Sequence, residues 1–78
     1  MTQDTINRPA LAICIRNDGY AVSLELRKLY KVIPDPEAAK NGLLRIVDES
    51  AEDYLYPENF FILAHLPKAE EQAVLEVV

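Results

Sequence analysis

Short apolar runs, each closed by turn-forming residues, are the feature that most restricts how this chain can fold. "ALAICIR" runs into "NDG", "LYKVI" into "PDP", and "FILAHL" into a proline. Runs of this length, rich in β-branched and aromatic residues and punctuated by Asn, Asp, Gly and Pro, predict strands joined by turns. In "ALAICIR", Leu11, Ile13 and Ile15 fall on one face and Ala12, Cys14 and Arg16 on the other, as a period of two requires. With 78 residues there is room for one small domain and one core. Half of those residues are hydrophobic, which separates the chain from disordered sequences.

Residues 1–9 are polar, end in Pro9 and are expected to form a flexible N-terminal arm. Residues 10–67 are expected to hold the fold, and residues 68–78 to form a tail or a short helix. "YAVSLELRKLYKVI" carries two periodicities. A period of two puts Leu24, Leu26, Tyr30 and Val32 on one face; a period of 3.6 puts Val22, Leu26, Leu29, Tyr30 and Ile33 on a stripe that stops before Pro34. The composition of "LYKVI" favours a strand over 29–33. Residues 20–28 stay open between an irregular excursion and a helix, and a helix near 22–33 would make the fold α+β.

"PDPEAAKNG" predicts a helical turn over 35–41, with Asp35 as cap, Pro36 at the first helical position and Gly42 past the end. "LLRIVDESAEDYLYP" predicts a β-hairpin. An even loop pairs Val47 with Tyr54, Ile46 with Leu55 and Arg45 with Tyr56, which turns Tyr56 outward. An odd loop or a bulge at "ESAED" turns Tyr56 inward instead. The economical arrangement is all-β, a small barrel of about five strands, because closure removes strand edges that would otherwise invite aggregation.

"YPENFF", residues 56–61, gives that barrel a name. It resembles the stretch with which eukaryotic SH3 domains end their fourth strand: an apolar residue, Pro, a small or polar residue, Asn, Tyr and Val. Here Tyr56 stands at the apolar position, followed by Pro57, Glu58 and Asn59, with Phe60 for the tyrosine and Phe61 for the valine. The resemblance implies an SH3-like barrel in which "LYKVI" and "LLRIV" are the second and third strands. It implies that Tyr56 and Phe61 serve the core, while Pro57 and an outward-facing Phe60 are the positions that match the family's ligand-contacting motif. The chain has no tryptophan and no Ala-Leu-Tyr-Asp-Tyr-like first strand, so it departs from the proline-rich-peptide binders. "RIVDESAEDYLYP" also resembles short bacterial proteins of unassigned function that have SH3-like barrels.

Catalytic patterns are missing from the sequence. His65 is the only histidine and Cys14 the only cysteine, and both sit in apolar runs where structural roles are expected. No G-x-S-x-G, P-loop or G-x-G-x-x-G occurs, and the two glycines cannot build a phosphate cradle. Neither an enzyme nor a cofactor is expected, and with one histidine and one cysteine no zinc site of His and Cys is expected either. The densest polar cluster is "DESAED", with Asp48, Glu49, Glu52 and Asp53. Calcium would suit such carboxylates, but the spacing is not that of an EF-hand loop, so a solvated acidic tip that attracts a basic partner is expected.

The net charge of −5 repels phosphate backbones and anionic lipid. The expected role is a cytoplasmic module that binds a protein or peptide through Pro57, Phe60, Tyr54 and the acidic tip, as a monomer or weak homodimer. One alternative is a small structural subunit or homodimeric adaptor. A second is nucleic-acid binding through Arg16, Arg27, Lys28, Lys31 and Arg45.

Overall fold

The computed structural model describes residues 10–78, and the expected arm at 1–9 lies outside them. Five strands form one antiparallel sheet: β1 (Leu11–Cys14), β2 (Leu29–Ile33), β3 (Leu43–Val47), β4 (Asp53–Pro57) and β5 (Phe61–Ala64). Their order is β4-β3-β2-β1-β5, so β4 and β5 lie at the two edges. A 3₁₀ turn over Glu58–Phe60 carries the chain from one edge strand to the other. The helices are α1 (Pro36–Lys40), between β2 and β3, and α2 (Lys68–Val77) at the C-terminus.

Local chemistry accounts for α1. The Ala38 amide donates to Asp35 Oδ1 at 3.0 Å, Pro36 opens the helix, and Gly42 takes φ +72° just beyond its end. By contrast, the alternative helix near 22–33 does not form. Residues 15–28 run as successive turns, with the Ser23 and Leu24 amides donating to the Tyr20 carbonyl at 2.9 and 2.8 Å. The helical stripe fails because its members are not buried together: Val22 is 93% exposed and Leu26 47%, whereas Tyr30 and Val32 are buried with the spacing of a strand. Leu24 is the anchor of the excursion, fully buried, with its carbonyl accepting from the Asn17 side chain at 2.9 Å.

The main core lies on one face of the sheet, where Ala12, Cys14, Tyr30, Val32, Ile46, Tyr56 and Phe61 pack with Leu24 and Phe60. β1 turns its small residues towards that core. Ala12 and Cys14 leave room there for the aromatic rings, while Leu11 is buried on the opposite face and Ile15 is 45% exposed. Cys14 behaves as a small hydrophobe, and burial pushes its thiol above the ordinary value.

The hairpin takes the odd register. Val47 pairs with Asp53, Ile46 with Tyr54 and Leu44 with Tyr56, leaving a loop over residues 48–52. Ala51 adopts φ +71° within it, a left-handed conformation unusual for a residue with a side chain. That single residue of difference puts Tyr56 in the core, at 3% exposure. The C-terminal segment is helical but buries none of its residues. Its Glu71 accepts from the Ala10 amide at 3.0 Å. No helix among the described residues is long and apolar enough to cross a membrane.

Candidate functional site

The acidic tip does not stay in solvent as a unit. Asp48 is only 5% exposed and accepts three hydrogen bonds: from the Ser50 amide at 2.9 Å, the Ser50 hydroxyl at 2.6 Å and the Tyr56 hydroxyl at 2.6 Å. Burial pushes its carboxyl up, but these donors together outweigh burial and hold it below the ordinary carboxylate value. It is therefore ionised at neutral pH. Tyr56 responds in the opposite direction, its hydroxyl pushed up to about 12 by burial and by the Asp48 carboxylate.

Glu49 folds back the same way. The Tyr30 hydroxyl donates to its carboxylate, Lys28 Nζ donates at 2.6 Å, and the Glu49 amide donates to the Ser23 carbonyl at 3.0 Å. Lys28, then Tyr30, lower the Glu49 carboxyl. The Tyr30 oxygen also accepts from the Glu25 amide at 2.7 Å. Glu49 thus ties the hairpin tip to the excursion, directly through Lys28 and the Ser23 carbonyl and through Tyr30, whose hydroxyl bridges it to the Glu25 amide, whereas the Tyr56–Asp48 bond lies within the hairpin itself. Glu52 and Asp53 behave differently. Glu52 accepts from the Tyr54 hydroxyl at 3.0 Å, and Asp53 turns to the other face of the sheet, where Arg45 bridges it to Asp35 at 2.9 and 2.8 Å. Among the described residues no group of His, Cys, Asp and Glu is placed to hold a metal ion.

Between the excursion and the hairpin lies an open groove of about 360 Å³. Asp48 and Tyr56 form its floor; Tyr20 and Tyr54, 44% and 50% exposed, stand as walls; Ser23, Ser50 and Leu55 complete it. The Tyr20 ring is fixed edge-on against Tyr56, with centroids 5.1 Å apart. A smaller pocket of about 70 Å³ opens beside α1, lined by apolar residues that include Val32, Leu44 and Leu63.

Of the residues singled out in the sequence, Asp48 and Tyr54 line the groove, whereas Pro57, Phe60, Glu49, Glu52 and Asp53 do not. The outward placement of Phe60 is corrected. It is 7% exposed, with the Tyr20 ring 6.0 Å away and the Arg16 guanidinium stacked 5.5 Å from its centroid. The excursion supplies both covers, and no local pattern around Phe60 announces them. The groove residues that the sequence did not single out for binding are Ser50, Leu55 and Tyr56 of the hairpin and, from the excursion, Tyr20 and Ser23. The one signal of Tyr20 and Ser23 is position, directly after the "NDG" turn, where Gly19 takes φ +81° and the chain folds back.

Fold and site together define a small, mainly antiparallel β protein with an aromatic-walled groove over a buried carboxylate. No family model, no curated protein and no solved structure matches the chain.

Proposed function

We propose that the chain is a non-enzymatic binding module on an SH3-like barrel, which receives a basic protein or peptide segment in the groove between Tyr20 and Tyr54. The observation that carries this reading is the groove itself: two half-exposed tyrosines over a buried, ionised Asp48, on a chain of net charge −5. Tyrosine supplies wide, rigid contact area at small entropic cost, and a negative field steers a basic partner.

Barrel curvature is supported by reach. The four steps from Pro57 to Phe61 span at most roughly 14 Å, whereas five strands laid flat would hold their edges about 19 Å apart. A curled sheet brings the hairpin over the excursion and so makes the groove. Nucleic-acid binding is less well supported, since Arg16, Lys28 and Arg45 are each already paired with a carboxylate. Selection from a random peptide library against wild type and Tyr54→Ala tests the reading. Wild type is expected to enrich basic sequences and the variant to lose them; an empty wild-type selection, or identical selections, would discard it.

A second reading, a homodimeric adaptor, is favoured by the apolar β5 edge, where Ile62 is 56% exposed, and by Val77 at 84% on α2. Light scattering on wild type and Ile62→Lys decides it. A dimer through β5 halves its mass in the variant, and a monomeric wild type removes the reading.

A further inference from the structure

We propose that the groove takes the ammonium group of a lysine from the partner segment, seated over Asp48 between the Tyr20 and Tyr54 rings. The inference rests on the groove being the peptide site, and it names the anchor that the site selects.

Asp48 is the one buried charged side chain among the described residues. Buried charges in folded proteins are ordinarily paired with an opposite charge or a metal. Asp18, Glu37, Glu49, Asp35 and Asp53 each have a lysine or arginine within ion-pair distance. Asp48 has none among the described residues; its donors are an amide and two hydroxyls, all neutral. The negative charge therefore stands uncompensated at the floor of an opening large enough for a side chain. The walls suit a cation as well. Tyrosine rings carry negative faces that attract an ammonium, and the attraction strengthens where water is partly excluded.

Geometry favours lysine over arginine. A guanidinium binds a carboxylate best through two parallel bonds, which need both oxygens free along one edge. Both Asp48 oxygens are already occupied, Oδ1 by Ser50 and Oδ2 by Tyr56. A compact point charge needs no such fork. It gains from the carboxylate's field and the rings while leaving the existing bonds in place.

The test uses n-butylammonium chloride, a lysine side-chain analogue, titrated into the full chain and followed by nuclear magnetic resonance, with 1-butanol and potassium chloride at matching concentrations. The expected result is saturable shifts at Tyr20, Ser23, Ser50 and Tyr54 with butylammonium alone. Affinity should fall about tenfold in Tyr54→Ala and recover in Tyr54→Phe, because the ring and not the hydroxyl attracts the cation. Asp48→Asn should abolish saturation, and the exposed Tyr54 variants keep the test decisive if that variant is unfolded. An equal response to butanol would reduce the groove to an apolar slot and overturn the proposal. So would shifts confined to Glu52, Glu70 and other surface carboxylates, or an affinity unchanged in Tyr54→Ala. Failure here with a productive peptide selection leaves a peptide site with a different anchor; an empty selection with a saturable ammonium response removes the peptide reading and keeps the cation pocket.

Discussion

Four tyrosines divide into two pairs with the same chemistry and opposite uses. Tyr30 and Tyr56 are 2% and 3% exposed, and each donates its hydroxyl to a carboxylate of the hairpin tip, Glu49 and Asp48 respectively. Tyr20 and Tyr54 are about half exposed and flank the groove above them. Burial decides the difference. A phenol in the core must find an acceptor, and the tip's acids supply it; a phenol at the surface has water and keeps its ring available to a ligand. Tyr30 therefore bridges the hairpin tip to the excursion, Tyr56 fixes Asp48 within the hairpin, and the outer pair presents the surface so formed.

The largest test of this division is truncation. Tyr56→Ala should cost about 3–5 kcal/mol, the range for removing a large aromatic from a core, and for so small a domain that approaches the whole stability. Phe60→Ala should fall in the same range of about 3–5 kcal/mol, for the same reason. Tyr54→Ala should leave the urea midpoint nearly unchanged while weakening ligand binding. Equal losses of stability from Tyr54→Ala and Tyr56→Ala would erase the distinction.

Removing only the hydroxyls sharpens it. Tyr56→Phe leaves buried Asp48 one donor short, at a cost of about 1–3 kcal/mol. Tyr30→Phe should cost less, because Glu49 keeps Lys28 and is nearer to water. The pH dependence follows the same bonds. The folded Asp48 carboxyl lies below its unfolded value of about 3.9, so its contribution is present above that pH and is lost as pH falls through the folded value. Tyr56 works in reverse: its stabilisation is full below the unfolded value of about 10 and fades as pH rises towards about 12. Urea melts across pH should therefore show an acid limb that Asp48→Asn reduces, leaving the share that belongs to Glu49 and Asp35, and an alkaline limb that Tyr56→Phe reduces, leaving the share that belongs to Tyr30. An unchanged alkaline limb in Tyr56→Phe would mean that the hydroxyl is not tied to Asp48.

The strands were legible because their information is local. "LYKVI" and "LLRIV" have strand composition, and the Asp35, Pro36 and Gly42 punctuation marks α1 residue by residue. The hairpin register was not legible, since it turns on the parity of a loop in which Ala51, not a glycine, takes the left-handed conformation. Nor was the site. Phe60 sits at the motif position that the SH3 resemblance turns outward, yet Tyr20 and Arg16 cover it from an excursion far back in sequence. An acidic run reads as solvated, and only the Asp48 and Ser50 spacing, suited to a side chain accepting from the amide two residues on, hinted that Asp48 turns in.

The smallest expected effect concerns the acid that neither buries nor pairs. Glu52 is exposed, joins no ion pair among the described residues and does not line the groove; its one side-chain partner is the Tyr54 hydroxyl. Glu52→Gln keeps that acceptor and removes one charge from the field. It should leave the urea midpoint unchanged and slow association with a basic peptide less than about threefold at low salt. The difference should vanish near 0.15 M salt, where screening acts within about 8 Å. Dissociation should be untouched, because the lysine anchor depends on Asp48 and the rings. Stopped-flow kinetics at two ionic strengths separate the rates. A large rise in the dissociation rate of Glu52→Gln would move the ligand from the tyrosine walls to the hairpin tip, and the division between holding and presenting residues would have to be redrawn there.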